Sequence, residues 1–147
     1  MSLDYRFNHT MLRVKDPEPS VAFYREVLGM TVLKRVDVEA GRFTLYFLGY
    51  AEEGANPFSV PGVVELTHNW GTEDDPDFAY HDGNGDPRGF GHICITVPDL
   101  EAACARFDAM GVRFVKRPED GAMRGLAFVA DPDGYWVEVI PHGGVKV

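Results

Sequence analysis

The chain repeats itself. HTMLRVKDPEPSVAFYREVLGMTVL begins at His9, and HICITVPDLEAACARFDAMGVRFV begins at His92. Each has a Val five residues after its histidine (Val14, Val97) and an Asp seven after it (Asp16, Asp99). Each continues with apolar residues at helical spacing, Val21, Phe23, Tyr24, Val27 and Leu28 in the first and Leu100, Ala103, Cys104, Phe107 and Met110 in the second. Each run stops at a glycine, Gly29 or Gly111, at the place where a helix ends in a left-handed residue. Short apolar strands follow at 30–33 and 112–115. The remaining strands match as well: GRFTLYFLGY and PGVVELTHNWG in the first half, GLAFVADPDGYWVEVIPHG in the second, where a DPDG turn compresses the connection. An internal repeat outranks local propensity as a constraint, because one backbone plan must serve both copies. The chain therefore reads as α+β, with two βαβββ modules at 1–72 and 90–147. Between them TEDDPDFAYHDGNGDPRGFG concentrates Gly, Asp and Pro, which predicts an irregular linker over 73–89. Long segments without regular structure often carry function.

Strand side chains alternate between faces. Thr10, Leu12 and Val14, like Ile93, Ile95 and Val97, form a face suited to packing under a helix. The other face carries His9, Met11 and Arg13 in one module and His92, Cys94 and Thr96 in the other. On the last strands, Glu65 shares a face with Thr67 and Asn69, and Glu138 shares one with Trp136 and Ile140; His68 and Trp70 point away from Glu65. Phe43, Leu45 and Phe47 form one further row, Leu126 and Phe128 another. His9 and Glu65 thus hold the positions that His92 and Glu138 hold in the repeat. If two such curled sheets face each other, two imidazoles and two carboxylates converge, a good set for a divalent transition metal. An octahedral ion held by four protein donors keeps two positions, which is what a chelating substrate needs. A single strand His or Glu is usually structural; the matched set of four is the signal. His68, His81 and His142 are read as non-ligands, Trp70 as a packing aromatic, Trp136 as a core aromatic or a wall of the site with core the first choice, and Cys94 as a small buried hydrophobe.

HTMLRVKDP, FYREVLGM, LYFLGY, ELTHNWGTEDD, DPRGFGHI and GLAFVADPDGYWVEV together resemble glyoxalase I of the vicinal oxygen chelate superfamily, over nearly the whole chain. The resemblance implies an enzyme that isomerises the hemithioacetal of methylglyoxal and glutathione to S-lactoylglutathione. It implies a cytoplasmic homodimer with its sites at the subunit interface, His9 and Glu65 from one chain and His92 and Glu138 from the other. Glu138 matches the principal base, and the matching position of Glu65 in the repeat leads to the expectation that it assists from the opposite face. Arg13, Asn69, Arg88 and Lys116 match positions that hold glutathione, the co-substrate. Leu45, Phe47, Met123, Leu126 and Phe128 would line an apolar pocket around the reacting carbons. His9 and the short loop AEEGANPFSVPG resemble the bacterial branch activated by nickel or cobalt, while the linker resembles the eukaryotic, zinc-dependent branch. The expectation is one divalent metal per site, nickel or cobalt ahead of zinc.

The residues suit that chemistry independently. Moving a proton between adjacent carbons beside a carbonyl creates enediolate charge, which a Lewis acid offsets. Arg13 stands four residues from His9 on the same face, and a guanidinium fork suits glutathione's carboxylates. A formal net charge of −9 argues against non-specific nucleic-acid binding, and no apolar run approaches the roughly 20 residues of a membrane span. Two cysteines allow no dense disulfide framework and suit a reducing compartment. Two rival readings remain within the same fold. One is an Fe(II) ring-cleaving dioxygenase, which needs two His and one Glu and would reveal itself with a catechol. The other is a non-enzymatic small-molecule binding protein, which would bind a ligand without holding metal.

Overall fold

The computed structural model describes residues 1–146 and is α+β. In the first module β1 (His9–Arg13), α1 (Pro17–Ala22), β2 (Thr31–Val38), β3 (Phe43–Gly49) and β4 (Val63–Asn69) follow one another. In the second, β5 (His92–Val97), α2 (Leu100–Ala109), β6 (Arg113–Lys116), β7 (Ala127–Ala130) and β8 (Trp136–Pro141) do the same. Each module builds a four-stranded mixed sheet, in the orders β1-β4-β3-β2 and β5-β8-β7-β6. The first strand of each lies parallel to the last, and the other neighbours are antiparallel. The helix is what makes this possible, since a parallel partner cannot be reached through a tight turn. A bulge interrupts the second strand of each sheet, between Val32 and Lys34 and between Phe114 and Lys116. The repeat thus extends to an irregularity that no local propensity predicts.

Asp16 and Asp99 cap the two helices, accepting from Glu18 N–H and Ala102 N–H. Gly29 and Gly111 end the helical segments with φ of +75° and +72°. The first helix is not the uninterrupted α-helix its apolar spacing predicts. It passes into a π-helical turn, Phe23–Val27, whose wider spacing puts Phe23, Tyr24 and Leu28 all into the core. Likewise Met110 caps α2 and is exposed, where the spacing placed it on the buried stripe. Beneath the helices lie Leu12, Val14, Leu48 and Leu66 in the first module and Ile95, Val129, Val137 and Val139 in the second, all buried. The opposite face of each sheet carries the residues paired across its first and last strands, Met11 with Glu65 and Cys94 with Glu138.

The chain divides into two compact units, Met1–Tyr80 and His81–Val147. Apart from a 3₁₀ turn at Thr72–Asp74, the segment between β4 and β5 has no regular structure. It is nonetheless tied: Asn84 Nδ2 donates to Gly91 O at 2.7 Å, and Gly89 N–H donates to Gly83 O at 2.9 Å. Gly83 has φ of +93°, and a Cβ there would stand 1.8 Å from Phe90 O. Gly83→Ala must therefore reshape this segment, at a cost of about 1–3 kcal/mol. The expected result is a lower Tm, with faster amide exchange at 83–91 and little change within β1–β4.

Candidate active site

In the first module the sheet register sets Met11, Glu65 and Phe47 side by side, and next to them Arg13, Thr67 and Leu45. His9 Nε2 lies 3.4 Å from Glu65 Oε2. His9 Nδ1 is 2.7 Å from Asn8 Oδ1, which fixes the ring and turns Nε2 toward the carboxylate. The Phe47 ring meets the imidazole edge to face at 6.0 Å. Phe47 is buried with Leu33 and Val63, and Leu45 packs against the same cluster, so the pair sits on an apolar floor. Asn69 ends β4 opposite Phe43.

The second module repeats this arrangement. Cys94, Glu138 and Phe128 are neighbours, and His92 lies beside Trp136. His92 Nε2 lies 3.8 Å from Glu138 Oε1, and the Phe128 ring meets the imidazole edge to face at 4.9 Å. Trp136 lies against Phe128, centroids 5.5 Å apart. It is half-buried, so of the two readings of Trp136, core aromatic or site wall, the favoured core one is corrected. The sequence also misplaced Cys94, which is exposed. Alternation says which face a side chain takes, and only the sheet order reveals that β5 is an edge strand. The Cys94 thiol is pushed up to about 12, first by partial desolvation and then by the hydrogen bond and charge of Glu138. A thiol held in that state is a poor nucleophile.

The other expected binding residues are placed as follows. Arg13 is exposed at the end of β1. Lys116 donates through Nζ to Arg117 O and Leu126 O, both at 3.0 Å. Arg88 is 80% exposed in its side chain, with Asp86 at 3.8 Å. Leu126 is buried just before β7, and Met123 is exposed in the preceding turn. Of the histidines set aside, His81 Nε2 lies 3.1 Å from Pro87 O in the segment before β5, and His142 Nδ1 lies 2.9 Å from Thr96 Oγ1.

The His9–Glu65 separation suits two donors sharing one tetrahedral ion at about 2.1 Å from each, and the His92–Glu138 separation is wider than that ideal but still within one ion's span. Among the described residues no group of three or more His, Cys, Asp or Glu that could hold a metal ion is present; each module brings one His–Glu pair to the face that carries Phe47 or Phe128. Imidazole and carboxylate donors suit Zn, Ni and Co alike. Among the described residues no helix is long and apolar enough to cross a membrane.

Residues 6–139 match the family model described as Glyoxalase/Bleomycin resistance protein/Dioxygenase superfamily. The chain is 56% identical to the lactoylglutathione lyase of Pseudomonas aeruginosa, over 93% of this chain and 82% of that protein. It is 47% identical to the glyoxalase I of Saccharomyces cerevisiae, over 97% of this chain and 45% of that longer protein. Among solved structures, the trypanothione-dependent glyoxalase I of Leishmania major superposes with a TM-score of 0.74 at 38% identity, over 95% of this chain and 88% of that one.

Proposed function

The chain belongs to the Glyoxalase/Bleomycin resistance protein/Dioxygenase superfamily, and from that premise we infer that it is a lactoylglutathione lyase. It isomerises the hemithioacetal of methylglyoxal and glutathione to S-lactoylglutathione through an enediolate, and so removes methylglyoxal. The observation that carries this reading is the duplicated His–Glu pair, at the same register in both sheets, each backed by a phenylalanine ring. A ring-cleaving iron site is built from two His and one carboxylate, so the second carboxylate favours the isomerase over that reading.

His9, Glu65, His92 and Glu138 are the residues that would hold the divalent metal, for which we favour nickel or cobalt over zinc. When bound, that ion supplies Lewis-acid polarisation of the two vicinal substrate oxygens. Glu138 takes the proton from the carbon bearing sulfur and returns it to the adjacent carbon. The hydrogen count does not change: one C–H breaks, one C–H forms, and the hydroxyl proton passes to the neighbouring oxygen. Glu65 assists on the opposite side. Phe47, Leu45, Phe128, Leu126, Met123 and Trp136 exclude water from the enediolate, which would otherwise be protonated without control. Arg13, Asn69, Arg88 and Lys116 hold the peptide part of the thiol, Arg13 by its fork on a carboxylate.

We further infer that the working unit is a cytoplasmic homodimer in which each copy supplies one pair to a shared site. Support comes from the edge positions of β1 and β5, and from Leu3, Tyr5 and Phe7, exposed at 63, 85 and 78%. The test is metal add-back. Protein stripped with a chelator receives Ni, Co, Zn or Mn separately, and thioester formation from methylglyoxal plus glutathione is followed. We expect Ni and Co to restore more turnover than Zn. No turnover with any of these metals would overturn the enzyme.

A further inference from the structure

The helix-side face of the first sheet carries a polar cluster that the proposed chemistry does not use. His68 is 7% exposed, and its Nε2 lies 2.5 Å from Glu73 Oε2. The same carboxylate oxygen accepts Gly71 N–H at 3.1 Å. The Glu73 carboxyl is held below its ordinary range, first by its own backbone N–H and then by His68. A buried imidazole on a strand otherwise lined by Val64 and Leu66 demands such a partner. Glu73 reaches it only because the chain turns back at Gly71 into the 3₁₀ turn Thr72–Asp74.

Thr72, the residue between, completes the closure. Its Oγ1 lies 2.6 Å from Lys15 O and 3.2 Å from Asn69 O, so one hydroxyl reaches the chain beyond β1 and the last residue of β4. Val14 N–H donates to Thr67 O at 3.0 Å and continues the parallel pairing to this point. Trp70 is pinned as well, by N–H to Arg42 O at 3.0 Å and by Nε1–H to Thr44 Oγ1 at 2.9 Å. The residues whose backbone is thereby fixed are the ends of β1 and β4. Those ends carry Arg13 and Asn69, which project from the opposite face.

We propose that His68, Thr72 and Glu73 form a positioning clamp for the thiol-holding side of the site, locking the ends of β1 and β4 in register so that Arg13 and Asn69 are preset for the peptide. This rests on the glutathione reading of those two residues given above. The clamp touches neither substrate nor metal ligand. It acts through backbone, so it bears on binding of the thiol portion and leaves the proton transfer at Glu138 alone.

The test compares Glu73→Ala, Glu73→Gln and, as a control for losing a surface carboxylate, Asp108→Ala in the second module. Glu73→Ala is expected to raise KM for the hemithioacetal about 5–10-fold, the equivalent of one or two lost hydrogen bonds, with kcat within about twofold. Glu73→Gln keeps one acceptor oxygen, which can take both His68 and Gly71 as Glu73 Oε2 does, and is expected to recover most of the loss; Asp108→Ala is expected to leave KM unchanged. Amide exchange should accelerate at 13–15 and 67–74 in Glu73→Ala only. If Glu73→Ala does not fold, Thr72→Val removes the clamp's other tie, the hydroxyl contacts to Lys15 O and Asn69 O, and is read against the same KM and exchange criteria. An unchanged KM, or a loss confined to kcat, overturns the clamp. If the wild type neither turns over hemithioacetal nor binds S-alkylated glutathione, the glutathione reading fails. Exchange at 13–15 and 67–74 then decides the clamp on its own, and absence of acceleration overturns it.

Discussion

Glu138→Gln is expected to lower kcat by roughly 10²–10⁴-fold at saturating metal, the range over which a positioned general base contributes. Gln keeps the volume and a hydrogen-bonding oxygen on β8, and the flanking Val137 and Val139 stay buried under α2, so Tm should hold. The residue is half-buried beside Phe128 and Cys94, where a carboxylate can approach a reacting carbon without a full hydration shell. Metal content must be measured alongside, because an amide is a weaker donor than a carboxylate. Loss of turnover in protein that retains its metal assigns Glu138 to proton transfer. Full turnover at full loading would take the base away from Glu138. Glu65→Gln is the paired control, with a smaller expected loss in kcat, since the duplicated geometry makes the two carboxylates alike in placement while the proposal makes them unlike in role.

Mixing two inactive variants is expected to restore activity. His9→Ala and His92→Ala should each abolish turnover alone, since each removes one imidazole from every site. If a site combines His9 and Glu65 of one copy with His92 and Glu138 of the other, a mixed dimer has one site lacking both histidines and one site intact. Random reassociation then returns about a quarter of wild-type activity, because half the dimers are mixed and each has one working site of two. If both pairs of a site come from one chain, every site in the mixture lacks a histidine, and no activity returns. Co-refolding the two variants, with each refolded alone as control, separates the outcomes by presence against absence of turnover.

Much of the fold was legible because its informative signals are local. The Asp caps at 16 and 99, the stops at Gly29 and Gly111, and the apolar rows under the helices all depend on residues within a few positions of one another. Duplication then doubled each weak signal. The π-helical turn at Phe23–Val27 was not legible, since its apolar spacing also fits an α-helix. The bulges in β2 and β6 were equally hidden, because they are mismatches between strands rather than properties of one. Residue type alone favours the interior for both Trp136 and Cys94. Both lie on the open face instead, because side-chain chemistry does not reveal what covers a sheet.

The candidate site divides along the same line. Strand alternation by itself determined that His9 shares a face with Arg13, that Glu65 shares one with Asn69, and that the second module repeats the His–Glu pair. That follows because side-chain direction along a strand is set by the backbone one residue at a time. Which strands lie side by side, and hence that Glu65 stands between Met11 and Phe47 and Glu138 between Cys94 and Phe128, was decided only in three dimensions. So was the closure of His68 on Glu73, and the turning of Lys116 onto the carbonyls of Arg117 and Leu126. Those contacts join residues whose meeting depends on strand order and on the path of a turn, and a one-dimensional periodicity contains neither.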